Sequence, residues 1–164
     1  MSVLNRALIG LGANLGDPIQ QILDARALLS ALPLVASCES SYLYVSSPVG
    51  YSDQPNFINC ALALETSYDA VQLFAQMQSI ETHLGRVRVQ GNQNAPRMID
   101  IDLLLFGDQT SDDPVLTIPH PRICERLFVM QPLADLGVDM KADENVDFSD
   151  QILHRLSISP QSKD

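Results

Sequence analysis

Asp100-Ile101-Asp102 lies inside the apolar run Met98 to Phe106. Side chains of a strand alternate, so the two aspartates share one face, about 7 Å apart, and Ile101 takes the other. Two carboxylates so placed repel each other and are costly to bury without a cation. Their hard oxygens suit Mg²⁺, and paired Mg²⁺ ions suit phosphoryl transfer. The alternative is an edge strand with both aspartates in water. The flanking Leu103-Leu104-Leu105-Phe106 speaks for burial.

Arginines gather around this strand. Five of the ten basic residues (Arg86, Arg88, Arg97, Arg122 and Arg126) fall in the window 86–126, while residues 1–85 hold two bases against seven acids. A guanidinium fork fits phosphate oxygens. Charge alone leaves two readings level, a phosphate site on a repelling body or a solvated loop with chance arginines. With metal on the carboxylates, the arginines complete what phosphoryl transfer requires. His120, on the rigid Pro119-His120-Pro121 segment, is a further donor candidate, although a lone histidine is more often structural.

Other phosphate signatures fail. Gly10-Leu11-Gly12-Ala13-Asn14-Leu15-Gly16 misses the dinucleotide fingerprint because its third glycine should stand at Leu15. No P-loop, G-x-S-x-G elbow or H-E-x-x-H is present. Phe57 and Asn59 share a strand face, and with Phe128 they supply two aromatics and an amide, which suits a flat heterocycle, although most phenylalanines at such spacings are core.

The elements that must position these groups follow from periodicity and punctuation. Val3 to Leu11, Ser37 to Val45, Phe57 to Glu65 and Met98 to Phe106 read as strands. Asp17 and Pro18 start a helix that runs to about Leu32, with Ile19, Ile22, Leu23, Arg26 and Leu29 near one side. A second helix, capped by Ser67 or Asp69, runs from about Ala70 to Leu84, with Gly85 ending it. Its Leu73, Met77, Ile80 and Leu84 form a core stripe, with Gln78 and Glu81 on a neighbouring face. Residues 46–55 and 86–97 read as loops, the second long and mobile, and another loop runs through Pro114. Short helices are expected near Arg122 to Phe128 and Ser149 to Leu156. Without strict strand–helix alternation, the reading is α+β with a largely antiparallel sheet.

The 164 residues predict one domain spanning 1–164, with a core that needs no staple. No apolar run is long enough for a membrane span, and no signal peptide opens the chain. Cys38, Cys60 and Cys124 are expected as buried thiols in a reducing cytosol. A net charge of −10 excludes wrapping a nucleic acid.

Over nearly its whole length the chain resembles the 6-hydroxymethyl-7,8-dihydropterin pyrophosphokinases of folate biosynthesis. The resemblance rests on Gly10 to Gly16, Ser47-Pro48-Val49-Gly50, Asp53 to Asn59, Gln78 to Glu81, Gly85-Arg86-Val87-Arg88, Ala95 to Asp102, Leu116 to Arg122, and Arg126-Leu127-Phe128 before Pro132-Leu133. It implies a ferredoxin-like α+β sandwich and transfer of the β,γ-diphosphate of ATP to the pterin hydroxymethyl group, releasing AMP. It also implies that Asp100 and Asp102 hold two Mg²⁺ ions. Arg86 and Arg97 match the arginines that stabilise the transferring group, and Arg88 falls in the flexible catalytic loop. Gln78, Glu81, His120 and Arg126 match ATP-site positions. Phe57 and Phe128 match the aromatics that sandwich the pterin, Asn59 the amide that reads its edge, and Ser46 and Val49 the backbone lining of the pterin pocket. A cytoplasmic, monomeric enzyme with small-molecule substrates and neither nucleic-acid nor membrane partners is expected. The chain departs from the family at Gln93 and Asn94, where a basic residue is frequent, at Pro121, where some members have tyrosine, and in having no tryptophan.

Overall fold

A computed structural model describes residues 3–48, 54–88 and 98–157, for 86–88 the backbone alone. In chain order the elements are β1 (Asn5–Ala13), α1 (Pro18–Ser30), β2 (Val35–Ser40), β3 (Tyr44–Ser46), β4 (Phe57–Thr66), α2 (Ala70–Arg88), β5 (Asp100–Phe106), β6 (Ser111–Asp113), β7 (Leu116–Ile118), α3 (Leu127–Asp135) and β8 (Leu153–Arg155), with a 3-10 turn at Ile123–Glu125 before α3.

The main sheet runs β5-β1-β4-β3-β8, with β2 also pairing β4, and all its pairings are antiparallel. α1 therefore crosses over β4 to reach β2, and α2 crosses over β1 to reach β5. Two interleaved βαβ units of this kind make the ferredoxin-like sandwich that the family resemblance implies.

Alternation along β1 sorts the core into two layers. Ala7, Ile9, Leu11 and Ala13 pack against Ile22, Ala25 and Leu29 of α1 and Leu73, Met77, Ile80 and Leu84 of α2. Leu8 faces the other way, with Ala61, Ala63 and Leu104, under Ile123, Met130 and Leu133. α3 thus covers only one end of this second face. Beyond it β1 carries Gly10 and Gly12, which line a cavity among the described residues.

Helix starts follow the expected chemistry. The Asp17 side chain accepts the Gln20 N–H. Asp69 accepts the Gln72 N–H, and the Gln72 side chain accepts the Asp69 N–H in return, a reciprocal cap. The buried side of α1 is Gln21, Ile22, Ala25 and Leu29, turned slightly from the expected stripe.

Several boundaries differ from expectation. Gly85 does not end α2, which continues to Arg88. Gly85 is not among the glycines with positive φ, so its conformational freedom goes unused. The expected strand Ser37 to Val45 is two strands, because the Ser41 hydroxyl takes the Ala61 N–H where the ladder breaks. Ser111–Asp113, inside the loop expected through Pro114, form β6 and pair with β7 in a hairpin. The helix near Arg122 to Phe128 divides into the 3-10 turn and a longer α3 containing Pro132. The expected helix at 149–156 is β8 on the edge of β3, since a short isolated helix is marginal and an open strand edge offers backbone partners. Cys60 is buried, but Cys38 and Cys124 are only partly so, and all three are free thiols. No helix among the described residues is long and apolar enough to cross a membrane.

Candidate active site

Strand register builds the floor of the site. Gly12 lies between Asp100 on β5 and Asn59 on β4, and Gly10 between Asp102 and Ala61. All belong to the face that α3 leaves open. A Cβ at Gly12 would stand 3.2 Å from Asn59 Oδ1, and one at Gly10 would stand 3.3 Å from a Leu104 methyl, so each neighbour would have to give by a few tenths of an ångström. Above this floor is a cavity of about 550 Å³, walled by Ser46 to Pro48, by Arg126 and Phe128, and by Asp147 and Gln151 of the tail.

Asp100 and Asp102 are half-buried on the cavity side, while Ile101 is 4% exposed in the core, as alternation requires. β5 is nevertheless an edge strand, contrary to the expectation from its apolar flank. Its outer side is not bare: the Ile101 N–H donates to Glu81 Oε2 on α2 at 2.7 Å, and the His120 N–H donates to the Leu104 carbonyl at 2.9 Å. Among the described residues no cluster of three or more His, Cys, Asp or Glu could hold a metal. The aspartate pair would hold Mg²⁺ in another way, as two hard-oxygen donors over an open floor that leaves room for other oxygen ligands.

A second cavity of about 340 Å³ is lined by Gln78 and Glu81 of α2, by Thr117 and by His120. Asp102 lines both cavities and joins them. His120 Nδ1 accepts the Arg122 N–H at 3.2 Å, which places the ring proton on Nε2. Burial lowers the His120 pKa below its ordinary value. Asp102 opposes this and the Arg126 and Arg122 charges add to it, so the neutral ring is favoured.

On the other side of the floor, buried Asn59 donates from Nδ2 to Ser46 Oγ at 2.7 Å. Its Oδ1 remains directed over Gly12. Phe57 and Phe128 both line the larger cavity, with the Arg126 guanidinium 5.6 Å from the Phe128 ring centre.

The structure therefore brings together Asp100, Asp102, Gln78, Glu81, His120, Arg126, Ser46, Phe57, Asn59 and Phe128. Arg88 is the last residue of α2, with Arg86 one half-turn before it, and neither begins the loop as expected. Val49 and Arg97 lie outside the described residues, as do Gln93 and Asn94. Sequence reasoning counted Arg122 among the clustered arginines but gave no site role to Gly10, Gly12 or the tail residues. The glycine pair was visible but matched no fingerprint, and the tail carried no signal.

A model of the 7,8-dihydro-6-hydroxymethylpterin-pyrophosphokinase family matches residues 8–138. The chain belongs to this family. It is 40% identical over 139 residues to the 2-amino-4-hydroxy-6-hydroxymethyldihydropteridine pyrophosphokinase of Pseudomonas aeruginosa, covering 85% of each chain. Against the enzyme of the same name from Bacillus subtilis it is 38% identical over 147 residues, covering 90% of this chain and 87% of the relative. It is also 41% identical over 140 residues to the folic acid synthesis protein fol1 of Pneumocystis carinii, covering 85% of this chain but only 18% of that longer protein. Among solved structures, a Plasmodium falciparum HPPK-DHPS superimposes with a TM-score of 0.63 at 16% identity, over 89% of this chain and 44% of that one, a likeness of fold.

Proposed function

We propose that the glycine-floored cleft is where this pyrophosphokinase moves the β,γ-diphosphate of ATP onto the hydroxymethyl group of 6-hydroxymethyl-7,8-dihydropterin. The observation that carries the reading is the Asp100/Asp102 pair on the floor of the larger cavity, which also holds aromatics and a buried amide, with Asp102 shared by the smaller cavity of His120 and Gln78. The larger cavity takes the pterin. Phe57 and Phe128 flank the ring, and Asn59, its nitrogen committed to Ser46, offers Oδ1 to a ring N–H. Ser46 and Val49 contribute the pocket's backbone groups. The smaller cavity takes the nucleotide, with Gln78 and Glu81 on α2 and His120 donating from Nε2.

Asp100 and Asp102 are the residues that would hold two Mg²⁺ ions. Bound there, Mg²⁺ neutralises phosphate charge and lowers the pKa of the attacking hydroxyl. The pterin oxygen forms a bond to the β-phosphorus, the bond from that phosphorus to the α,β-bridging oxygen breaks, AMP leaves, and the hydroxyl proton passes to water. Arg86 and Arg97 stabilise charge on the moving group, Arg88 holds the nucleotide, and Arg126, on the wall of the larger cavity, meets the nucleotide phosphates where they extend past Asp102. No side chain on the floor is assigned as general base. Residues 1–164 act as one domain, as a cytoplasmic monomer whose unpaired thiols suit a reducing compartment.

Incubation with the hydroxymethyl dihydropterin, ATP and Mg²⁺, followed by nucleotide analysis, tests the proposal. AMP with pterin diphosphate is expected. ADP, or released pyrophosphate, would instead indicate γ-phosphoryl or nucleotidyl transfer. Tight pterin binding without AMP would make the chain a binding module.

A further inference from the structure

Residues 143–156 lie beyond the span matched by the family, yet their segment closes one side of the cavity. Gln151 is its key contact. Its Oε1 accepts the Leu127 N–H at 2.9 Å, and its Nε2 donates to the Glu125 carbonyl at 2.9 Å. One side-chain amide thus brackets the backbone of Arg126 on both sides. Leu127 is the first residue of α3, where an N–H has no partner within the helix, and the preceding residue, Arg126, supplies no side-chain cap. Gln151 fills that role from 24 residues away.

The next residue fastens the opposite wall. The Ser47 N–H donates to the Ile152 carbonyl at 3.2 Å, and the Ile152 N–H donates to Ser47 Oγ at 3.3 Å. Leu153 then pairs with Ser46, the hydroxyl that holds Asn59. Gln151 is itself set by a turn, its N–H donating to the Phe148 carbonyl at 2.9 Å. Two consecutive tail residues therefore connect the Arg126–Phe128 wall to the Ser46–Pro48 wall.

We propose that Gln151 is a positioning residue for the transfer reaction, aiming Arg126 into the cleft through its two backbone contacts. The inference rests on the assignment of Arg126 to the nucleotide site. A side-chain amide suits this work because it donates and accepts in one plane with no charge. Gln151→Met keeps the length and removes both bonds. Gln151→Glu keeps the acceptor for Leu127 and loses the donor to Glu125.

The test is Mg-ATP affinity by calorimetry, with KM and kcat, for Gln151→Met, Gln151→Glu, Arg126→Ala and the Arg126→Ala/Gln151→Met double variant of the full chain. Gln151→Met is expected to weaken Mg-ATP binding about tenfold, the scale of losing one well-placed hydrogen bond. Gln151→Glu falls in between, KM moves more than kcat, and the double variant binds no worse than Arg126→Ala. Gln151→Met with native affinity, or losses that multiply in the double variant, would overturn the proposal while Arg126→Ala still weakens binding. If Arg126→Ala leaves ATP affinity unchanged, the nucleotide-site assignment fails and the proposal with it. Should Gln151→Met show no cooperative unfolding, the same cycle is read with Gln151→Glu.

Discussion

Glu81 Oε2 accepts the Ile101 N–H at 2.7 Å, and that N–H lies between the two aspartates of the floor. The outer backbone of an edge strand otherwise meets only water or another strand. Helix α2 therefore supports the outer edge of the carboxylate strand through one side chain, while β1 sets its register. The first task of this glutamate is structural, although it also lines the smaller cavity.

Glu81→Ala is expected to lower stability by about 1–3 kcal/mol, the range for leaving a buried donor unpaired. It should also cut kcat, because Asp100 and Asp102 lose their fixed spacing. Glu81→Gln keeps an acceptor oxygen and should recover most of the stability. Urea denaturation alongside turnover checks both. Equal losses in the two variants would show that charge, and not the hydrogen bond, is what matters.

Gly12 and Gly10 face different neighbours, so their alanine variants should differ. The atom opposing a Cβ at Gly12 is Asn59 Oδ1, and Asn59 is buried and held by Ser46. It cannot swing away without breaking a 2.7 Å hydrogen bond. Gly12→Ala is expected to raise the pterin KM by about five- to tenfold, the cost of one misaligned hydrogen bond, with little change for ATP. At Gly10 the opposing atom is a leucine methyl, which can shift by a few tenths of an ångström, so Gly10→Ala should be milder. Steady-state kinetics with each substrate varied separately distinguishes the two.

The carboxylate pair was legible in the sequence because period-two alternation within an apolar run forces Asp100 and Asp102 onto one face. Helices α1 and α2 were legible through Asp17-Pro18 and the Leu73, Met77, Ile80, Leu84 stripe. What could not be read was everything set by register between distant strands. That Gly10 and Gly12 would lie beside Asp102 and Asp100 depends on β1 pairing with β4 and β5 at once. Likewise β8 forms because β3 presents an open edge, a tertiary fact with no local trace in residues 153–155. Gly85 misled because a glycine marks a helix end only where a left-handed φ is needed.

Asp100→Asn and Asp102→Asn retain size and remove the charge that would hold Mg²⁺. Each is expected to lower kcat by at least about two orders of magnitude, consistent with the several kcal/mol a catalytic metal supplies. Both aspartates face the cavity, so unfolding curves should change little. EDTA should silence the native enzyme, and added Mg²⁺ should restore it. Near-native turnover in Asp100→Asn would refute the metal assignment.

Tyr44 ties β3 to α3, its hydroxyl donating to Asp135 at 2.7 Å. Burial, then the hydrogen bond and the charge of Asp135, push its pKa from 10.0 to about 12, against smaller opposing effects of Gln131 and Arg155. The unfolded chain releases this proton near 10.0 and the folded one near 12. Between those values the folded state holds more protons, so rising pH favours unfolding. The contribution is complete below pH 10.0 and is lost as pH climbs towards about 12. Tyr44→Phe should be less stable by about 1 kcal/mol at pH 8, from the lost hydrogen bond. The gap between native and variant should narrow progressively once the pH passes 10.0. Urea denaturation of both proteins from pH 8 upwards measures it, and a gap independent of pH would mean that the Tyr44 proton is not held by folding.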